Sequence, residues 1–143
     1  MYPWERVNPK QDSSLRIIHE LTKRGHEVSI TNPSNLTIRD SITLSLCKTI
    51  QPGARISSSF PSFYKSVVFK EKMLELRDFD VIFMRDNPPL NALTLNFLDS
   101  IKDDVFIINA VDGLREANNK IYTAAYFDPD KELIPATHVS KNI

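Results

Sequence analysis

Three short stretches carry side chains that could meet a ligand. In VIFMRDNPPL (81–90) a run of apolar β-formers goes directly into Arg85, Asp86 and Asn87, then into two prolines. An arginine at the carboxyl end of a buried strand suits a carboxylate, which a guanidinium grips with two parallel hydrogen bonds. The competing reading is an ion pair, with Asp86 or with a neighbouring hairpin. Asn87 and Pro88 fit the N-cap and first position of a following helix, where a missing N–H costs nothing. In KQDSSLR (10–16), Asp12 suits an N-cap, with Ser13 and Ser14 in the first turn. Capping is the default reading there. The functional one has free N–H groups and two hydroxyls holding polar substrate atoms. In LREANNKIYTAAYF (114–127), Lys120 could reach a phosphate, but Glu116 lies four residues earlier, the favourable order for a helical ion pair.

Other chemistries find little support. The three histidines, His19, His26 and His138, match no metal-ligand spacing with each other or with Cys47. Cys47 is the sole cysteine, so no internal disulfide forms, and it reads as a small buried residue in a chain suited to a reducing cytosol. With three glycines, none close to another, there is no phosphate-cradling loop, and no GxSxG elbow occurs. Eighteen basic residues balance eighteen acidic ones, so the basic excess of a nucleic-acid binder is missing. No apolar run is long enough to cross a bilayer.

The elements that must position these residues alternate. The 143 residues suit one domain. A loop at 1–11 leads to a helix from Asp12 to Gly25, with Leu15, Ile18 and Leu21 on its apolar face and Gly25 as its C′ stop. HEVSIT (26–31) reads as a strand. LTIRDSITLSLCKTI (36–50) reads as a hairpin turning near Arg39–Ser41, and residues 63–76 as a helix. DVIFM (80–84) and VFIIN (105–109) read as strands buried on both faces. Between them Leu90, Leu93, Phe97, Leu98 and Ile101 mark a helix. A further helix capped by Asp112 carries Leu114, Ala117, Ile121 and Ala124, and THVS (137–140) opens another strand. Tyr2, Trp4 and the aromatics of Phe60–Tyr64 either line a pocket or cover the sheet. This order predicts an α/β fold with a mainly parallel sheet and helices on both faces. Such domains begin with a strand, and none precedes the loop at 1–11. A first strand is expected to be missing or to lie upstream, leaving edges that weaken the chain or pair with a second copy as a homo-oligomer.

Taken in order, MYPWERVNPKQDSS, the helix ending in KRGHEV, DFDVIFMRDNPP, FIINAVDGLREANNKIYTA and IPATHVS resemble the N-terminal domain of the prokaryotic-type glutathione synthetases. The resemblance spans nearly the whole chain and is weakest across 34–75. It implies a Rossmann-like pre-ATP-grasp domain over 1–119, with 120–143 beginning the ATP-grasp domain. In that family ATP phosphorylates the terminal carboxylate of γ-glutamylcysteine, and the amine of glycine attacks the acyl phosphate, giving glutathione, ADP and phosphate. The resemblance implies that Arg85 lies by the peptide substrate, with Asp12, Ser13 and Ser14 beside the same crevice, and that Lys120 contacts ATP. The family's M-R-x-D-P-P reads M-R-D-N-P-P here, which moves the acidic residue to Asp86. The glycine-rich grasp loop and the carboxylates for Mg²⁺ would lie beyond Ile143, so residues 1–143 alone are expected to be inactive. The alternatives are a related ATP-grasp ligase with another acceptor and a non-catalytic α/β binding module.

Overall fold

The computed structural model describes residues 3–51, 56–86, 90–117, 120–126 and 128–142. The first helix, α1 (Ser13–Lys23), is stopped by Gly25 at φ 84°, a conformation that favours glycine. A short strand follows, β1 (Ser29–Ile30), then the hairpin β2 (Leu36–Arg39) and β3 (Ile42–Ile50). Asp40 (φ 50°) and Ser41 (φ 64°) make its two-residue turn, both left-handed as a tight hairpin on twisted strands requires. The turn thus lies where the sequence placed it.

Residues 63–76 differ from the expected helix. The helix α2 (Phe60–Ser66) is short and begins around Pro61, and β4 (Phe69–Glu75) follows it. The β-branched Val67 and Val68 end the helix, and the next seven residues pair antiparallel with β3, from Phe69 opposite Ile50 to Glu75 opposite Leu44. Tertiary pairing has overridden a helical stripe that was irregular to begin with.

β3 holds this sheet together. Thr49 pairs with both Ser29 and Lys70, and Ser45 with both Leu36 and Leu74. One edge of β3 therefore carries β2 and β1 in succession, and the other carries β4. All these pairings are antiparallel, which corrects the expectation of a mainly parallel sheet. The fold is α/β, but its larger sheet is a hairpin-built antiparallel one.

The parallel part is a separate two-stranded sheet, β5 (Val81–Phe83) with β6 (Phe106–Ile108). The helix α3 (Ala92–Asp99) crosses between the two strands. Asn91 caps it, its side chain accepting from the Leu93 N–H at 2.8 Å. The expected helix start at Asn87 and Pro88 lies outside the described residues. Burial on both faces is not found either. Ile82 and Ile107 face a core built on Leu95, Leu98, Ile101 and Val111, whereas Val81 (39% exposed), Phe83 (42%) and Phe106 (66%) face outward. Among the described residues, helices pack on one face of this pair only.

A second core joins Leu15 and Ile18 of α1 to Val28, Ile30, Ile50 and Phe63. Trp4 stacks on Tyr64 with ring centres 5.0 Å apart and meets Phe69 edge-on, so these aromatics cover the sheet; Tyr2 lies outside the described residues. After β6 come α4 (Val111–Glu116) and α5 (Lys120–Ala124). Asp112 does not cap α4. It sits in the first turn and binds the Lys102 ammonium at 3.1 Å. Arg115 ties α4 to α3 through Asp99 and through Asn96 at 2.8 Å. Residues 137–140 form no strand.

Leu15 is fully buried, so Leu15→Ala should lower stability by about 2–5 kcal/mol in urea unfolding, from lost transfer energy plus the cavity. Ser41→Gly should raise it by up to about 1 kcal/mol by relieving the left-handed backbone. The hydrogen bond from Arg115, helped by Lys102, holds the Asp99 carboxyl below the ordinary aspartate range. A carboxyl depressed on folding stabilises above its unfolded value and loses that contribution as pH falls through its folded value. Asp99→Asn should therefore flatten the acid side of the stability profile from the ordinary aspartate range downward, read by thermal unfolding across pH.

Candidate functional site

The site is made by the amino end of α1 and the carboxyl end of β5. Asp12 is extended (φ −74°, ψ 118°), and its Oδ1 accepts from the Leu15 N–H at 2.8 Å. The expected cap is present. Buried Leu15 and Ile18 fix the rotation of α1, and so does His19. The His19 ring lies against Phe60 and Phe63, with Nε2 2.6 Å from the Ser57 carbonyl oxygen. With the helix so anchored, Ser13 and Ser14 are held at its start.

The ladder between β5 and β6 runs one step past Phe83, since the Met84 N–H donates to the Ile108 carbonyl. Arg85 is the first residue free of it. Its Nη2 donates to Ser13 Oγ at 2.6 Å and its Nε to Ser14 Oγ at 3.3 Å. Neither ion pair weighed for this arginine is found, because Arg85 takes part in none of the ion pairs of the described residues. Asp86 is exposed beside it and is not without a partner of its own.

The chemistry of this cluster is one-sided. A serine oxygen that accepts from a guanidinium keeps its own proton for another acceptor. Ser13 and Ser14 therefore each keep a hydroxyl proton available for a further acceptor. The guanidinium retains further N–H groups, and the amino end of α1 adds a partial positive charge. Asp12 offsets part of this, but one of its oxygens is taken by Leu15. What remains is a set of donors around an exposed arginine, suited to an anion and above all to a planar carboxylate.

The structure thus brings together Arg85, Ser13, Ser14 and Asp12 from segments more than seventy positions apart, with separations of 71 and 72 for the two arginine contacts. Lys120 opens α5, and its side chain lies outside the described residues. Because α4 ends at Glu116, the continuous helix needed for a Glu116–Lys120 pair is not present as one element. Cys47 is buried as expected, and burial pushes its thiol up. Among the described residues no three acidic, histidine or cysteine side chains gather as a metal-holding group, so they offer no donor set for Mg²⁺. No helix of the described residues is long and apolar enough to cross a membrane.

Known proteins resemble this chain along most of its length. The family described as prokaryotic glutathione synthetase, N-terminal domain, matches residues 1–115. The glutathione synthetase of Buchnera aphidicola subsp. Acyrthosiphon pisum is 31% identical over 97% of this chain and 42% of its own length. That of Salmonella typhi is 27% identical over 99% of the chain and 43% of its own length. That of Synechococcus elongatus is 29% identical over 98% and 44%. The chain therefore spans less than half the length of these curated relatives. It belongs to the prokaryotic glutathione synthetase family, as the N-terminal domain.

Proposed function

We propose that this chain forms the substrate-side part of an ATP-grasp ligase that joins γ-glutamylcysteine to glycine. The observation that carries the reading is the Arg85 guanidinium seated on two serine hydroxyls at the start of α1, without an acidic partner among the described ion pairs. Such a cluster suits a carboxylate of the peptide. In this reading Arg85 supplies charge and planar geometry, while Ser13 and Ser14 hold the guanidinium in place and donate hydrogen bonds to the substrate. Asp12 keeps the first turn of α1 intact beneath them, and Asp86 borders the entrance. Holding one carboxylate here orients the peptide for chemistry at another.

The reaction proposed is a balanced pair of steps. The terminal carboxylate of γ-glutamylcysteine takes the γ-phosphoryl group of ATP, releasing ADP. The amine of glycine then forms the amide bond, loses a proton and displaces phosphate. Lys120 would contact ATP, with 1–119 the substrate-side domain and 120–143 the start of the ATP-grasp domain. The described residues supply no Mg²⁺ donor set, so no step is assigned to a metal here. The pre-ATP-grasp arrangement, a cytoplasmic setting and a homo-oligomer belong to the same reading. A related ligase with another acceptor is the second reading, favoured by the order M-R-D-N-P-P, which sets Asp86 next to Arg85.

Arg85→Ala in the full-length enzyme should weaken γ-glutamylcysteine binding by about tenfold to a hundredfold, the loss of a charge-assisted pair. Isothermal titration would read it, and an unchanged affinity would remove Arg85 from the site. Residues 1–143 alone should show no ATP-dependent ligation; measurable glutathione formation by that fragment would overturn the division of labour proposed here.

A further inference from the structure

A second concavity lies at the far end of α1. Thr22 and Gly25 border a cavity of about 700 Å³, within the range of small-molecule sites. An eleven-residue helix puts it roughly 15 Å from Ser13. Its walls are of two kinds. Leu74, on the same side of β4 as Lys70 and Lys72, gives it an apolar wall with Val67 beside it. Lys70 and Lys72 of β4 stand at its rim.

The lysines are two positions apart on one strand, so they project from the same side with Cβ atoms about 6.5–7 Å apart. That spacing lets both ammonium groups converge on one anionic group. The opposite side of β4 is different. There Glu71 stands 3.7 Å from the Lys48 ammonium, which Glu5 also holds at 3.1 Å. Lys70 and Lys72 take part in none of the ion pairs of the described residues. Glu27 also lines the cavity, one carboxylate against two ammonium groups.

We infer that this cavity binds a small organic anion, with its apolar body on Leu74 and Val67 and its carboxylate or phosphate between Lys70 and Lys72. The inference does not rest on the Arg85 site. Three probes share one apolar body: 1-naphthyl phosphate, 1-naphthoate and uncharged 1-naphthol. Probe fluorescence and amide shifts of Val67 and Leu74 would follow binding. At least one anion should saturate the site and bind about tenfold or more tighter than the naphthol, since hydrogen bonds to a charged group supply that difference. Lys70→Gln/Lys72→Gln should abolish this preference, while Arg85→Ala should leave it intact. Circular dichroism checks the folding of the double variant, and Lys72→Gln alone serves as a milder change on the exposed edge. Preference for phosphate over carboxylate, or the reverse, supports the inference and names the anion. Equal affinity for the naphthol, unaltered binding in the lysine variants, or no saturable binding at millimolar probe would overturn it.

Discussion

The nine residues of β3 are the constraint on which the molecule depends. This strand is hydrogen-bonded along both edges, and every other strand of the larger sheet reaches the fold through it. Its packing is unusual for a central strand, because the side that carries Thr43, Ser45 and Cys47 is buried yet rich in small polar groups. Those groups are satisfied. Ser45 Oγ and Thr31 Oγ1 are 2.7 Å apart, and Thr31 also donates to the Leu46 carbonyl at 2.9 Å. Thr43 Oγ1 lies 2.6 Å from Ser100 Oγ just past α3, a hydroxyl contact between the antiparallel sheet and the helix that backs the parallel pair. Buried hydroxyls without partners would be costly, so these contacts fix direction as well as energy.

Much of this was legible in the residues, and the exceptions have physical causes. The α1 cap, the Gly25 stop and the hairpin turn each depend on local chemistry that a few adjacent residues specify. The β4 strand did not read as one, because a Lys-Glu-Lys alternation is polar enough to suit a helix surface and becomes a strand only opposite β3. The apolar runs at 81–84 and 105–108 signalled strands correctly. They could not reveal that one face lies open, since composition is the same whether or not a neighbour covers it. The parallel sheet was over-extended for a related reason: alternating helices and strands do not state which strands pair.

For the candidate site, sequence reasoning singled out Asp12, Ser13, Ser14 and Arg85 without their hydrogen-bonded relation. Asp12, Ser13 and Ser14 formed a complete cap motif, and Arg85 ended a complete strand motif. Neither motif left a vacancy that pointed to the other. Only family resemblance set them beside one crevice. The hydrogen bonds between them turn two adequate local explanations into one cluster of donors. The His19 contact with the Ser57 carbonyl had no signal at all, although it helps to hold the helix that presents the serines.

The long chain separation between Arg85 and the two serines has a thermodynamic consequence. Neither half of the cluster can assemble from a local segment, so the unfolded chain offers an anion almost nothing. A ligand that needs both halves then binds the native state alone, and its occupancy shifts the folding equilibrium by mass action. Among the described residues the smaller sheet has two strands, and a ligand bridging Arg85 and the serines would tie that sheet to α1 as well as to itself.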